Sequence, residues 1–164
     1  MMSKVYFDKE LIDKFLAECK QNYPEPGYTR GIFFTKSDSE HPCGYYSFET
    51  NDRMNDTEIK EEYESFGPYY KKHKGFVVSA KEMLKLEDLM TDNGEDICGA
   101  FHVHIDFPAC PTRLDVEMFH KSVADIENVW CLIVSFLDPY NLDFKAFTFE
   151  NKLIRELEIV YNEG

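Results

Sequence analysis

Apolar and polar residues alternate or cluster along this chain in a way that sets out most of its elements. Val5 to Phe7 predicts a short strand. Asp8 is then placed to cap a helix through Lys20, with Leu11, Ile12, Phe15, Leu16 and Cys19 recurring at helical spacing on one face. Pro24, Pro26 and Gly27 end it. Arg30 to Thr35 and Gly44 to Glu49 predict two strands joined by a polar hairpin connection, Lys36 to His41. Phe76 to Val78 resumes extended structure, and Met83, Leu84, Leu86, Leu89 and Met90 mark a helix from Lys81 to Met90 lying on the sheet. Asn93-Gly94 turns the chain into Cys98-Gly99-Ala100-Phe101-His102-Val103-His104, an apolar run that predicts a buried strand. A helix begins near Thr112, an N-cap candidate after Pro111, and carries Leu114, Val116, Met118 and Phe119. Asn128 to Leu137, Leu142 to Phe149 and Lys152 to Tyr161 complete the set as strands, with Asp138-Pro139-Tyr140-Asn141 and Glu150-Asn151 as turns.

The strand ending at His104 carries the chemistry. Residues two apart on a strand share a face, so His102 and His104 point the same way from backbones roughly 7 Å apart. Cys98 and Ala100 continue that face with small side chains, and Ile97, Phe101 and Val103 supply bulk to the other. Two imidazoles on one face invite a metal ion, and a catalytic zinc usually takes three protein ligands and keeps its fourth position for water. Asp115, in the first turn of the helix that follows, is the third candidate. Each residue also has a structural role open to it. Thr112-x-x-Asp115 has the spacing of a capping box, His102 suits a hydrogen-bonded core position, and His104 precedes a loop.

His-x-His, seven residues, Thr, two residues, Asp resembles the motif of the JAMM (JAB1/MPN/Mov34) metalloproteases, and His102, His104, Thr112 and Asp115 fall on its positions. The order of segments from about residue 9 to 160 is also similar to the small stand-alone JAB domains of prokaryotes. These include a Gly-hydrophobic strand at Gly31-Ile32-Phe33-Phe34, Phe76-Val77-Val78-Ser79 with its helix, and Val129 to Ser135. The resemblance implies an MPN/JAB-like (cytidine-deaminase-like) α/β sandwich with a mixed, mostly antiparallel, curved sheet flanked by helices. It implies a zinc ion on His102, His104 and Asp115, with Thr112 donating to the developing oxyanion. The substrate it implies is the C-terminal tail of a ubiquitin-like protein or its conjugates. Three departures stand out: Val103 replaces the usual Ser or Thr between the histidines, Thr112 stands for the motif Ser, keeping the hydroxyl and adding a methyl, and Tyr28 occupies the place of the family's catalytic Glu. Glu25, three residues upstream, is the candidate general base if Pro26-Gly27 is a short insertion. The alternative is an inert MPN-like scaffold that binds proteins, and a DNA-repair role by analogy to related RadC domains is a third class.

Bulk properties narrow the choice. A chain of 164 residues, 43% hydrophobic and 15% aromatic, predicts one globular domain over 1–164 with an insertion at 51–74. Tyr69-Tyr70-Lys71-Lys72-His73-Lys74 within that insertion suits either a protein contact or a solvated loop. A formal net charge of −13 argues against nucleic acid as a partner, because affinity for a phosphate backbone is built from Lys and Arg. No apolar run approaches the roughly 20 residues that cross a bilayer, so no membrane is expected. The N-terminus lacks the apolar core of a signal peptide, which makes cytoplasmic the expected location. The five cysteines form no CxxC pair and are expected as thiols. Cys98 and Cys131 have the pattern of small buried hydrophobes, and Cys110 lies near the proposed metal. His120 suits the carbonyls at the end of the motif helix.

Overall fold

The computed structural model describes residues 2–22, 30–36, 41–49, 61, 65, 79–113, 115, 116, 129–150 and 153–162. Glu25 and Tyr28, all of the 51–74 segment except Glu61 and Ser65, the Phe76–Val78 strand, His73 and His120 lie outside the described residues. The chain forms two compact units, one of residues 1–47 and 94–164 and the other of residues 48–93.

The first unit is built on a mixed sheet. Its strands are β1 (Lys4–Asp8), β2 (Arg30–Lys36), β3 (Gly44–Ser47), β4 (Glu95–His104), β5 (Trp130–Ser135), β6 (Asp143–Glu150) and β7 (Leu153–Asn162), with helix α1 (Lys9–Gln21) between β1 and β2. The order across the seven-stranded sheet is β1-β7-β6-β5-β4-β2-β3. β1 runs parallel to β7 and β4 parallel to β5, while the remaining neighbours are antiparallel. The expected α/β class with a mostly antiparallel mixed sheet holds. Among the described residues, no helix is long and apolar enough to cross a membrane.

β5 is the centre of this sheet, and all six of its residues are buried. A strand covered on both faces reads as a continuous apolar run, which is why Trp-Cys-Leu-Ile-Val shows no alternation. Trp130, Leu132 and Val134 point to the α1 side, where Ile12, Phe15 and Cys19 of the helix meet Phe7, Phe33, Phe101 and Val103. Cys131 and Ile133 point to the opposite side, with Ala109, Phe147, Phe149 and Val116. Phe33 anchors the first cluster. It is fully buried, and its ring lies 5.1–5.4 Å from those of Phe7, Phe15, Phe101 and Trp130, the range in which tilted and edge-to-face aromatic pairs are favourable. Gly99 is required beside this cluster, because a Cβ there would come within 2.6 Å of the Trp130 ring.

Two sequence expectations are corrected by β4. Its pairing with β2 shifts register, so that Phe33 faces Gly99 and Phe34 faces Ile97. Cys98 is the extra residue. Such an interruption reverses which face the residues beyond it occupy, and Cys98 packs with the Phe101 cluster instead of continuing the histidine face. Ile97 correspondingly leaves that cluster. The side-chain alternation read from the sequence holds only from Gly99 onward.

In the second unit the described helix is α2 (Ala80–Asn93). Ser79 caps it: its Oγ accepts the Glu82 N–H at 3.0 Å and its carbonyl accepts the Met83 N–H at 3.0 Å. The Glu82 carboxylate in turn accepts the Glu49 N–H at 2.7 Å. Gly94 follows α2 with φ of +67°, a left-handed conformation that glycine adopts without a steric penalty.

Candidate metal centre

His102 and His104 leave β4 on the same face, as the period of two requires. β5 runs parallel beside them, with His102 opposite Ile133 and His104 opposite Ser135. The chain between the two strands must cross back over the sheet, and this crossover brings Asp115 to the histidines. Backbone and side-chain bonds hold the segment from His104 to Thr112. The Phe136 N–H donates to the His104 carbonyl at 2.8 Å, the Cys110 N–H to the Pro108 carbonyl at 2.8 Å, and the buried Ser135 hydroxyl to the Phe107 carbonyl at 2.6 Å.

Thr112 then starts the helix. Its Oγ1 accepts the Asp115 N–H at 3.2 Å, its carbonyl accepts the Val116 N–H at 3.1 Å, and its own N–H donates to Asp115 Oδ2 at 2.9 Å. This is a capping box with Asp in the place of the usual Glu. The shorter side chain keeps the carboxylate close to the helix start, where it also faces the imidazoles. Capping and metal ligation are therefore not alternatives here: one carboxylate does the first and is placed for the second.

The three ligand atoms converge. His102 Nε2 and His104 Nε2 are 3.2 Å apart, Asp115 Oδ1 is 3.0 Å from His102 Nε2, and Asp115 Oδ2 is 3.0 Å from His104 Nε2. Ligands at about 2.0–2.1 Å from a tetrahedral ion lie roughly 3.3 Å from one another, so the observed spacing fits a shared ion with small adjustment. The outer nitrogens point to the same arrangement. His104 Nδ1 lies 2.9 Å from the Pro108 carbonyl, which can only accept, so Nδ1 carries a proton and Nε2 is the nitrogen that faces Asp115 and His102. His102 Nδ1 faces Cys131 Sγ at 3.7 Å. His102, His104 and Asp115 thus form a largely buried group that could hold a metal ion. Cys110 does not join it.

Burial pushes the His102 imidazole below its usual value, against the upward pull of Asp115 and with the help of Arg30 and His104. Burial would raise the Asp115 carboxyl, but His102 and His104 more than offset that and hold it well below the usual carboxylate range. A neutral imidazole and an ionised carboxylate are the protonation states that bind metals. Burial also pushes the Cys131 thiol far up, so it stays protonated beside His102.

Sequence reasoning named the three residues of this candidate group but treated Cys131 only as a small buried hydrophobe and gave no role to the Pro108 carbonyl. Cys131 reaches His102 because β5 pairs parallel with β4, and no local spacing encodes that pairing. Outer partners of metal-bound histidines typically matter by about 10–100-fold in affinity. Cys131→Val, which keeps the apolar volume and removes the sulfur, is expected to weaken metal binding by about 10-fold, measured by competition with a chromophoric chelator. Cys131→Ser is expected to recover most of the loss.

The sequence matches no protein-family model and no curated protein. In three dimensions the chain is similar to the solution structure of a protein from Desulfitobacterium hafniense, with a TM-score of 0.65 and 19% identity over 98% of this chain and 94% of that one. It is likewise similar to the solution structure of a protein from Salinibacter ruber, with a TM-score of 0.62 and 18% identity over 97% of this chain and 92% of that one. At these identities the likeness is one of fold, and it runs through nearly the whole of each chain.

Proposed function

We propose that this chain is a JAMM-type zinc peptidase that hydrolyses an amide bond at the C-terminal tail of a ubiquitin-like protein, by deconjugation or by trimming. The observation that carries this reading is the convergence of His102 Nε2 and His104 Nε2, 3.2 Å apart, on the Asp115 carboxylate, whose Oδ1 and Oδ2 lie 3.0 Å from the one and the other, on residues whose spacing matches the JAMM motif. The mixed α/β sheet is compatible with the MPN/JAB-like sandwich that the motif implies.

His102, His104 and Asp115 would hold the zinc ion, which when bound would supply the Lewis acidity that activates water near neutral pH and polarises the scissile carbonyl. The chain's own residues do the rest. Thr112 Oγ1 uses one lone pair on the Asp115 amide, which leaves its O–H free to donate to the developing oxyanion. One such donor contributes about 100–1000-fold in rate. Glu25 is the proposed general base, taking the proton from the attacking water and returning it to the leaving amine. Asp115 is unsuited to that task, since both of its oxygens face the imidazoles.

The role of Glu25 has a direct test. Glu25→Gln is expected to keep its zinc and lose about 100-fold or more in the rate of cleaving a fusion placed after the tail of a ubiquitin-like protein. A Glu25→Gln protein that cleaves at the parent rate would rule out Glu25 as the base. Tyr28, standing where the family carries its Glu, favours a second reading: a metal-bound, inert MPN-like scaffold. That reading predicts zinc in the parent protein and no cleavage of the fusion at any enzyme concentration.

A further inference from the structure

β2 places a cation on the metal face of the sheet. Arg30 opens that strand and pairs antiparallel with His102 of β4. Residues directly opposite each other in an antiparallel pair send their side chains to the same face, from Cβ atoms about 4.5–5.5 Å apart. The Arg30 stem therefore leaves the sheet beside the His102 imidazole. Its charge is felt there: burial is the largest cause of the shifts at His102 and Cys131, and Arg30 adds to the lowering of the one and opposes the raising of the other. Arg30 is half-buried, and Ala100, the next residue of β4 on this face, offers it only a methyl group. Arg30 and the start of the Thr112 helix flank the histidines from opposite sides. Val116, next to Asp115, packs with Cys131 and Ile133 of β5 and with Phe147 and Phe149 of β6, so Thr112 and Asp115 approach from the β5 side, while β2 lies on the other side of β4.

A positive side chain at this place works against the centre it adjoins, because it repels a cation held by His102, His104 and Asp115. It is also unusual in a chain whose formal net charge is −13. With a dication in place, the single charge of Asp115 leaves that ion and Arg30 net positive together, a field that draws in an anion. The anion a substrate brings depends on the bond it offers. In a lysine conjugate the leaving nitrogen ends a side chain, and no carboxylate lies next to it. In a tail that carries a trailing residue, the α-carboxylate of that residue does. We infer that Arg30 is a specificity-determining residue that grips the chain-end carboxylate of a residue following the scissile bond, which favours trimming of short linear extensions over release of lysine conjugates. This rests on the peptidase reading and deepens it. A guanidinium has five N–H donors in a planar fork, enough to hold a carboxylate bidentately and to keep bonds within the fold.

The test is an NMR titration of the full chain, its zinc content measured in parallel, with three N-acetylated tripeptides: Gly-Gly-Phe, Gly-Gly-Phe amide and Gly-Gly-Asp amide. The free acid is expected to bind roughly 10-fold more tightly than either amide and to shift an arginine Nε–H resonance that is missing from Arg30→Met. Arg30→Met is expected to bind the free acid and its amide alike, with zinc content unchanged. Arg30→Lys, which keeps the charge and loses the fork, is expected to retain a preference of only about 3-fold, and it decides the question together with the Nε–H resonance if Arg30→Met does not fold. A preference that persists in Arg30→Met would place the carboxylate on the metal ion and overturn the inference. Gly-Gly-Asp amide binding as tightly as the free acid would overturn it as well, by moving the carboxylate from the chain end to a side chain. A parent chain that holds zinc but binds the three peptides equally would remove the role of Arg30 and leave the peptidase reading. One that discriminates through Arg30 but holds no zinc would keep the anion site and remove the peptidase reading.

Discussion

His102→Ala, His104→Ala is expected to purify without zinc, where the parent chain carries about one ion per molecule by mass spectrometry. Removing two of three ligands leaves one carboxylate, and a single carboxylate does not compete with water for a borderline-soft cation. Loss of an outer partner alone costs about 10–100-fold in affinity, so loss of two direct ligands takes occupancy below detection. Because the double substitution also strips Asp115 of both imidazoles, which lie 3.0 Å away, the variant leaves a buried carboxylate held by the Thr112 N–H without either of them. Breaking a buried charge arrangement from one side is destabilising, and the variant should melt lower than the parent for that reason alone. Chelation separates the two effects: it should lower the melting temperature of the parent, whose folded state alone binds the ion, and leave the variant unmoved. Equal zinc in both proteins would remove the metal centre as described, and a different metal in the parent would keep the site and displace zinc from it.

Phe33→Ala is expected to be the most damaging single substitution in the sheet, at about 3–5 kcal/mol for a large-to-small change of a buried aromatic residue. Phe33 is fully buried and its ring lies 5.1–5.4 Å from four others, so truncation removes both burial and tilted or edge-to-face contacts. These partners come from β1, α1, β4 and β5, which leaves few ways for the neighbours to collapse into the space. For a chain of this size each kcal/mol lowers the melting temperature by about 2–4 °C, so a fall of about 10 °C is the expected result in a thermal denaturation followed by circular dichroism. A fall of only about 2 °C would mean that the cluster is not packed as described.

Much of this was legible in the chain because it is local. The alternation of His102 and His104 follows from strand geometry alone, and Asp115 follows from the spacing of Thr112 to the helix it starts. The stretch from Asn128 to Leu137 was legible as a strand, but not its burial on both faces or its place at the centre of the sheet. What the sequence hid is relational. The register shift between β2 and β4 turns Cys98 to the other face, and nothing in residues 95–104 marks it. The partnership of Cys131 with His102 depends on two strands pairing in parallel across a crossover. The parallel closure of β1 onto β7 joins segments at opposite ends of the chain, a pairing that hydrophobic pattern cannot specify.

Asp115 Oδ2 accepts the Thr112 amide while facing His104. The rotamer of this carboxylate is thus set when the helix forms, and the conformational entropy of aiming it is already spent before any cation arrives. For a cation held there, fraying of that first helical turn and its escape would become one event, which would tie residence time to the local stability of the turn that Thr112 starts.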